Sequence, residues 1–225
     1  MKRWFVTGTD TGVGKTRAAC ALIRHLAGSG QSVAAMKPVA SGCVPTTEGL
    51  RNDDALALMD AMNVELDYTR VNPFAYEPAI APHLAAQAAG RPIDVERIVV
   101  AADSITADHL VIEGAGGWCV PLNDRQLFPE LVGQLKADVI LVVGMKLGCI
   151  NHALLSARQI QREGFNLVGW IANTVDPDMP FFAENLRTVA ALMPAPLLAE
   201  IAWESTHLSF ADKKCAIFDK SELFY

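Results

Sequence analysis

Five short runs of mainly apolar residues recur along the chain, and segments with helical patterns lie between and after them. The runs are RWFVTG (3–8), SVAAMK (32–37), HLVIEG (109–114), DVILVVG (138–144) and LVGWIAN (167–173). Each run is nearly continuous and does not alternate with polar residues, as is typical of strands covered on both faces. The helical patterns lie at about 15–28, 53–62, 94–106, 127–136, 149–163 and 180–192. Strand followed by helix, repeated in this way, predicts an α/β fold with a doubly wound, mostly parallel sheet.

The sequence predicts a single domain over residues 1–225. Of its 225 residues, 51% are hydrophobic, which is enough to bury a sizeable core without disulfides or a structural metal. The stretch at about 38–93 contains helical pieces and several prolines, but it predicts no strand. We interpret it as an elaborated loop and helix insertion and as a candidate region for binding substrate. The pattern of residues 206–225 predicts no element of structure.

Charge and cysteine content exclude several functional classes. The net charge of −6 is unfavourable for binding nucleic acid or anionic membranes, because both require clustered basic residues. The five cysteines are odd in number and include no C-x-x-C pair, as in proteins that keep their thiols reduced. No apolar run has the length of a membrane span, and the first residues lack the apolar core of a signal peptide. These features predict a cytoplasmic protein that binds neither nucleic acid nor membranes.

The first apolar run leads directly into the sequence GTDTGVGKT (8–16), which is typical of a phosphate-binding loop. In such loops glycines let backbone N–H groups surround a phosphate, a lysine reaches the outer phosphates, and a hydroxyl residue holds Mg²⁺. The corresponding residues here are Gly12, Val13, Gly14, Lys15 and Thr16. Five residues lie between Gly8 and Gly14, whereas the common pattern G-x-x-x-x-G-K-[ST] has four between its glycines. Counted from Thr9, the loop has the usual length. A tight strand-to-helix turn would explain the glycines, but it would not explain Lys-Thr at the start of the helix.

Carboxylates that could hold a metal ion follow at two other places. Glu113 ends the third apolar run, and the glycines close behind it leave room for a ligand. An acid at the end of a neighbouring buried strand is a usual second metal group in sites of this kind. Asp53 and Asp54 are further candidates, but they could equally form the acidic first turn of a helix. The residues alone leave these two interpretations open.

Six segments, taken in order, resemble successive motifs of the dethiobiotin synthetase family. They are GTDTGVGKT, KPVASG, EGLRNDDALAL, VNPFAYEPAIAPH, VIEGAGGW and VVGMKLGCINHALLSA, and the resemblance spans residue 8 to about residue 173. Such a set is far more specific than a phosphate-binding loop alone. The resemblance implies a homodimeric α/β fold similar to P-loop NTPases. It further implies an ATP- and Mg²⁺-dependent ligase that closes 7,8-diaminononanoate (diaminopelargonate) with CO₂ to dethiobiotin, through a carbamate and a carbamic-phosphoric mixed anhydride.

The same resemblance implies a role for each matching residue, and it favours Asp54 over its neighbour. Catalysis is assigned to Lys15, Lys37 and Thr11, and Mg²⁺ binding to Thr16, Asp54 and Glu113. Substrate binding is assigned to Ser41, Gly116 and Gly117, phosphate binding to Gly12, Val13, Gly14, Lys15 and Thr16, and adenine binding to Asn173, Ala202 and Trp203. A last group, Gly148, Cys149, Ile150 and Asn151, predicts a helix N-terminus whose N–H groups suit a carboxylate. By resemblance, this turn serves the substrate site of the partner subunit.

Three positions depart from the family pattern. Gly12 stands where the best-known members of the family carry an acidic residue. Asn185 stands where an aromatic residue often covers the substrate chain, and Ala202 stands in place of a proline that flanks the adenine. The sequence therefore does not fix the choice between ATP, CTP and other nucleotides.

Two other functions stay open on the sequence. Another ATP-dependent ligase or amidoligase of the same fold would have no reason to keep KPVASG or GCINH. A regulatory P-loop ATPase commonly carries a second lysine inside the loop or metal-binding Cys and His tracts, and the sequence contains neither.

Overall fold

A sheet of seven strands forms the centre of the computed structural model, which describes residues 1–211. The strands, including those of two smaller sheets, are β1 (Lys2–Gly8), β2 (Val33–Met36), β3 (Val39–Ala40), β4 (Val44–Thr46), β5 (Gly49–Arg51), β6 (Phe74–Ala75), β7 (His109–Glu113), β8 (Asp138–Met145), β9 (Leu167–Thr174), β10 (Leu197–Ile201) and β11 (Ser209–Phe210). The helices are α1 (Lys15–Gly28), α2 (Asp53–Ala61), α3 (Tyr68–Val71), α4 (Pro82–Ala88), α5 (Val95–Asp103), α6 (Phe128–Leu135), α7 (Cys149–Arg162) and α8 (Phe182–Leu192). None of these helices is both long and apolar enough to cross a membrane.

The central strands lie in the order β11-β10-β9-β8-β1-β7-β2. All neighbouring pairs are parallel except β10 with β11, which are antiparallel. The chain passes from β1 to β2 and β7 on one side, and then crosses to β8 on the other side of β1. The predicted doubly wound, mostly parallel sheet is confirmed. Such a reversal creates a crevice at the carboxyl ends of the central strands, where folds of this kind bind ligands.

The central strands are apolar throughout because each contributes side chains to two cores. In β1, Trp4 and Val6 belong to one cluster and Phe5 belongs to the other. Helices α1 and α2 cover the first face, for example with Leu22 and Leu58, and helices α5 to α8 cover the second. Burial on both faces explains why the five runs read as continuous apolar segments.

The stretch 38–93 contains four short strands, so the prediction that it holds no strand is wrong. Strands β3 and β6 form a parallel pair, and β4 and β5 form an antiparallel pair. Each has only two or three residues, which is too short for a periodic pattern to show in the sequence. Helices α2, α3 and α4 complete this part of the chain.

The last strands of the sheet are also missing from the sequence prediction. Strand β10 contains Glu200 and follows a segment rich in proline, which masks its apolar pattern. The first residues of the stretch 206–225 include β11, and the rest of that stretch lies outside the described residues. Elsewhere the predicted bounds agree closely with the structure. The largest difference is at the end of α5, which was expected to reach residue 106 and ends at Asp103.

Candidate active site

The phosphate-binding loop joins β1 to α1 at the carboxyl edge of the sheet. Gly14 caps α1 with a φ of 87°, in the left-handed region that favours glycine. A Cβ at this position would overlap the side-chain amide of Asn173, which donates to the carbonyl of Val13 at 2.9 Å. The N–H of Thr9 donates to the carbonyl of Val142 at 3.0 Å and so fixes the loop to β8. No side chain caps α1, so its first N–H groups are available to a phosphate.

Lys15 is buried at the start of α1 and directs its ammonium group into the loop. Its Nζ donates to the carbonyl of Asp10 at 2.9 Å. Burial, and after it the positive charge of Lys37, lowers the pKa of Lys15 to about 8. A buried ammonium next to a second cation is stabilised by a bound anion, as a phosphate-binding lysine requires.

Three side chains from three elements meet beside the loop. Thr16 Oγ1 lies 2.7 Å from Asp54 Oδ1 and 2.8 Å from Glu113 Oε1. A hydroxyl has one hydrogen, so it can donate to only one of these carboxylate oxygens. Asp53, the alternative that the residues alone left open, is exposed, and these contacts belong to Asp54 instead.

Lys37 follows β2 and reaches the same carboxylates. Its Nζ lies 2.7 Å from Glu113 Oε1 and 2.9 Å from Asp54 Oδ2, and it donates to the carbonyl of Gly114 at 3.2 Å. The side chains of Lys37 and Glu113 are 4% and 1% exposed, whereas that of Asp54 is 42% exposed. The cluster therefore contains a buried ion pair with a third, partly solvated charge.

Burial and charge act in opposite directions on the pKa values of this cluster. Burial opposes a charge on Lys37, but the attraction of Glu113 and Asp54 outweighs it and raises the pKa of Lys37. Burial raises the pKa of Glu113 above its usual value, although Lys37 acts against it. Burial would also raise the pKa of Asp54, but there Lys37 prevails and lowers it. Lys37 is thus firmly charged, and the ionisation of Glu113 depends on it.

The oxygen atoms at this point fit a magnesium ion. Oε2 of Glu113 is buried and has no hydrogen-bond partner, so one carboxylate oxygen is left for a ligand. Carboxylate oxygens suit Mg²⁺, which usually takes only one or two of them besides water and substrate phosphates. Within residues 1–211, no group of three or more His, Cys, Asp or Glu side chains could hold a metal ion by itself. The donor set therefore resembles a nucleotide-linked magnesium site and not a closed protein cage.

A cavity of about 700 Å³ opens beside this cluster. Ten of the predicted site residues line it: Thr11, Gly12, Gly14, Lys15, Thr16, Lys37, Ser41, Asp54, Glu113 and Gly116. Eight lining residues were not predicted: Ala40, Asn52, Ala79, Ile80, Ala81, Pro82, Ala115 and Val120. Most of these are apolar and suit the methylene groups of a ligand. The sequence signal that could have identified residues 79–82 is the segment VNPFAYEPAIAPH, which resembles a family motif.

The other predicted residues lie outside this cavity. They are Val13, Gly117, Gly148, Cys149, Ile150, Asn151, Asn173, Ala202 and Trp203. Asn173 is near the end of β9 and Ala202 directly follows β10. Because β8 separates these strands from β1, both residues lie on the opposite side of the phosphate-binding loop from β7 and β2. Two groups of predicted residues thus flank the loop.

Arg17, which was not predicted, connects the loop helix to the second of these groups. Its Nε donates to the carbonyl of Ser205 at 2.5 Å and its Nη2 to that of Ala202 at 2.8 Å. Its Nη1 lies 3.4 Å from Oδ1 of Asn173. The sequence offers only a weak signal for this role, a basic residue directly after the Lys-Thr pair.

The N-terminus of α7 lies at the end of β8. Gly148 caps it with a φ of 93° and no side chain caps it, while the N–H of Cys149 donates to the carbonyl of Lys146 at 3.0 Å. Cys149 is buried and Asn151 is exposed. Next to them the side chain of Leu147 is 92% exposed. Within one chain these residues do not line the cavity, so their role in a partner's site stays a prediction.

A mostly parallel α/β sheet whose first strand leads through a glycine-rich loop into Lys-Thr at a helix N-terminus defines a P-loop nucleotide-binding protein. Solved structures share this fold. A chain of the MinC:MinD cell division protein complex of Aquifex aeolicus has a TM-score of 0.57 and 14% identity, with 97% of this chain and 85% of that chain covered. The signal recognition particle receptor FtsY of Elizabethkingia anophelis has a TM-score of 0.54 and 16% identity, and the match covers 94% of this chain but only 60% of FtsY. At these identities the likeness concerns the fold alone.

Sequence comparison identifies the family within this class. A family profile described as an AAA domain matches residues 2–208. The ATP-dependent dethiobiotin synthetase BioD of Pseudomonas aeruginosa (strain UCBPP-PA14) is 50% identical over 204 residues, which are 89% of this chain and 90% of that protein. BioD 1 of Escherichia coli (strain K12) is 50% identical over 206 residues, or 90% and 91% of the two chains. The chain belongs to the ATP-dependent dethiobiotin synthetase family, as its motifs predicted.

Proposed function

We propose that this chain is a ligase that uses ATP and Mg²⁺ to close 7,8-diaminononanoate with CO₂ to dethiobiotin, releasing ADP and phosphate. The observation that carries the proposal is the cavity in which Lys15 and Lys37 lie beside the phosphate-binding loop. The names of relatives at 50% identity support the same product. The lowered pKa of Lys15 and the buried position of Lys37 support a site built for anions.

The reaction needs stabilisation of negative charge more than it needs a nucleophile from the protein. One amine of the diamine takes up CO₂ and loses a proton, which gives a carbamate. A carbamate oxygen then attacks the γ-phosphorus of ATP, and ADP leaves. The second amine attacks the carbonyl carbon of the resulting mixed anhydride, phosphate leaves, and the cyclic urea forms. Because the carbamate and the mixed anhydride are both anionic, a cavity with two lysines suits this sequence of steps.

Each polar residue of the cavity has a role in this proposal. Lys15 spans the carbamate and the γ-phosphate, and Lys37 stabilises the same charge from the end of β2. Thr11 is exposed and Ser41 is half-buried, so both hydroxyls are free to bond to the carbamate. Apolar lining residues such as Ile80 exclude water from the methylene chain.

Thr16, Asp54 and Glu113 are the residues that we propose for Mg²⁺. Their convergence within 2.8 Å of one hydroxyl and the unpartnered Oε2 of Glu113 support this assignment. When bound, the ion would neutralise charge on the transferring phosphate. The ammonium of Lys37, 2.7 Å from Glu113, favours the ionised carboxylate, which is the form that binds a cation.

We further propose that the base of the nucleotide lies near Asn173, Ala202 and Trp203, and that the enzyme is a cytoplasmic homodimer. In this dimer the residues Gly148 to Asn151 of one subunit would bind the carboxylate of the substrate in the other. No side chain caps the N-terminus of α7, which supports a carboxylate site formed by backbone N–H groups other than that of Cys149.

The direct test is synthesis of dethiobiotin. The purified chain is incubated with 7,8-diaminononanoate, bicarbonate, ATP and Mg²⁺, and dethiobiotin is detected by mass while ADP is quantified. We expect equal amounts of dethiobiotin and ADP. Omission of bicarbonate or of the diamine should suppress ADP formation, because the group that accepts the phosphate exists only after the carbamate has formed. Parallel assays with CTP and GTP define the nucleotide preference.

Two results would contradict the proposal. ATP hydrolysis that is independent of the diamine, with no dethiobiotin from any triphosphate, would favour a regulatory P-loop ATPase. ADP formation that depends on a different carboxylate or amine would favour another ligase of the same fold.

A further inference from the structure

The segment after β10 is a turn that depends on contacts from outside itself. The N–H of Ser205 donates to the carbonyl of Ala202 at 3.0 Å and closes a four-residue turn. Glu204 within it has a φ of 60°, a left-handed conformation that is unfavourable for a residue with a Cβ. Trp203 and Glu204 are both exposed. A turn with an unfavourable backbone and solvated side chains keeps one position only if other parts of the protein hold it.

Arg17 supplies these contacts from α1. Its Nε donates to the carbonyl of Ser205 and its Nη2 to the carbonyl of Ala202, at 2.5 and 2.8 Å. One planar guanidinium therefore holds both ends of the turn. A lysine carries a compact ammonium group in place of the planar guanidinium, so it cannot reproduce this pair of hydrogen bonds from two separate nitrogens.

The same guanidinium is linked to the phosphate-binding loop. Arg17 Nη1 lies 3.4 Å from Oδ1 of Asn173, and Nδ2 of Asn173 donates to the carbonyl of Val13 at 2.9 Å. Arg17 is also two residues after Lys15 in the first turn of α1. The loop, the end of β9 and the 202–205 turn are thus joined through one side chain.

We propose that Arg17 is a positioning residue for the nucleotide. It holds the 202–205 turn beside the phosphate-binding loop, so that the surface against which the base of a nucleoside triphosphate packs is already formed before binding. The inference rests on the proposed function in two respects, that the phosphates of the nucleotide bind at the loop and that its base lies near Asn173, Ala202 and Trp203. Order that exists before binding removes an entropic cost from association. The contribution of Arg17 therefore falls on affinity for ligands that carry a base, and not on the chemical step.

The test separates the base from the phosphates. Titration calorimetry with Mg-ATP and with inorganic tripolyphosphate, both without the diamine, is performed on the wild-type chain, Arg17→Met and Arg17→Lys. The matched control is Arg24→Met, because Arg24 is exposed on the same helix and pairs with Asp60 at 3.2 Å. We expect Arg17→Met to raise the Kd for ATP by about tenfold or more, as for the loss of charge-assisted hydrogen bonds. The Kd for tripolyphosphate and the kcat at saturating ATP should change by less than about twofold.

Trp203 provides a second readout that does not depend on ligand binding. It is 48% exposed, whereas Trp4, Trp118 and Trp170 are at most 3% exposed. Quenching of tryptophan fluorescence by acrylamide therefore reports mainly on the 202–205 turn. We expect a larger quenching constant in Arg17→Met than in the wild type or in Arg24→Met.

Each outcome decides the inference. A folded Arg17→Met chain with unchanged ATP affinity would overturn it and leave the proposed function intact. An equal loss for tripolyphosphate would overturn it as well, since Arg17 would then support the loop and not the turn. A wild-type Kd for ATP in Arg17→Lys would overturn the argument that the turn needs two donors from a planar guanidinium, because a positive charge alone would then suffice. If Arg17→Met does not fold, Arg17→Lys decides alone, with a selective partial loss for ATP expected. Failure of the wild-type chain to bind ATP would instead overturn the proposed function, and this inference with it.

Discussion

Replacement of Lys37 by methionine tests the buried charge cluster at the centre of the site. Methionine keeps an unbranched apolar stem but removes the ammonium that lies 2.7 Å from Glu113. Glu113 is 1% exposed, and Thr16 would then be its remaining hydrogen-bond partner. Because an isolated buried carboxylate is unfavourable, we expect Glu113 to take up a proton in the folded variant.

The cost of that proton uptake sets the expected loss of stability. The ordinary pKa of glutamate is about 4.3, so protonation at pH 7 spans at most about 2.7 units at about 1.36 kcal/mol each, or about 3.7 kcal/mol, and less to the extent that the pKa of Glu113 is already raised in the wild-type fold. Removal of one partner from a buried ion pair typically costs about 3–5 kcal/mol, which agrees. Burial raises the pKa of Glu113 in the folded state, and loss of Lys37 raises it further. The loss is therefore absent below the folded pKa of Glu113 in the wild type, which lies above the ordinary value, and it grows as the pH rises from there towards 7.

Urea unfolding followed by tryptophan fluorescence measures this difference, with a chelator present and no nucleotide. The matched control is the double variant Lys37→Met with Glu113→Gln, which removes both charges and should recover much of the stability at pH 7. A loss at pH 7 below about 1 kcal/mol, or a loss of equal size at pH 5 and pH 7, would refute the reasoning that Glu113 relies on Lys37 for its charge.

Three further results are expected. Lys15→Ala should stay folded and lose phosphoryl transfer by orders of magnitude in an ADP-release assay, and near-normal turnover would contradict this role. Because the pKa of Lys15 is about 8, the ATP affinity of the unmodified chain should fall about tenfold per pH unit above that value. An ATP affinity that stays constant up to pH 9 would contradict it as well. Mixing an Asn151→Ala chain with a Lys15→Ala chain, after subunit exchange has been verified, should restore part of the activity; no recovery in a confirmed hybrid would mean that each site is built from one chain. Gly14→Ala should abolish nucleotide binding because its Cβ overlaps Asn173. Gly12→Ala has a φ of +73° but open space around its Cβ, so it should lower the free energy of unfolding in urea by only about 1 kcal/mol. Equal losses of nucleotide binding and of stability in the two variants would contradict this distinction.

The central sheet could be predicted because five of its strands are buried on both faces. Their sequences are short, continuous apolar runs rich in Val and Ile, and their length and these residues favour a buried strand over a buried helix. Strands β3 to β6 could not be predicted, since two or three residues carry no period. Strand β10 has a polar residue, Glu200, near its end and prolines before it, and so it does not stand out.

The candidate site divides in the same way. Lys15 and Lys37 follow strands and Glu113 ends one, and the carboxyl ends of these strands meet at one edge, so an α/β fold brings the three residues together once the strands are recognised. Arg17 is different, because its partners lie after β10 and only the tertiary fold brings them near. The apolar wall at 79–82 likewise depends on how the insertion folds back, for which residue patterns give no rule.

The position of β1 in the sheet has a consequence for biosynthesis. Lys2 pairs with His109 and Trp4 with Asp138, so β1 leaves the ribosome well before both of its neighbours and pairs with them only after β8 has been made. At about 5–20 residues per second, this delay is on the order of ten seconds. The phosphate-binding loop is fixed to β8 through the bond from Thr9 to Val142, so nascent chains that end before β8 should not retain ATP. During that interval the mainly apolar segment RWFV is an unpaired strand, and it is a target for chaperones that bind exposed apolar segments.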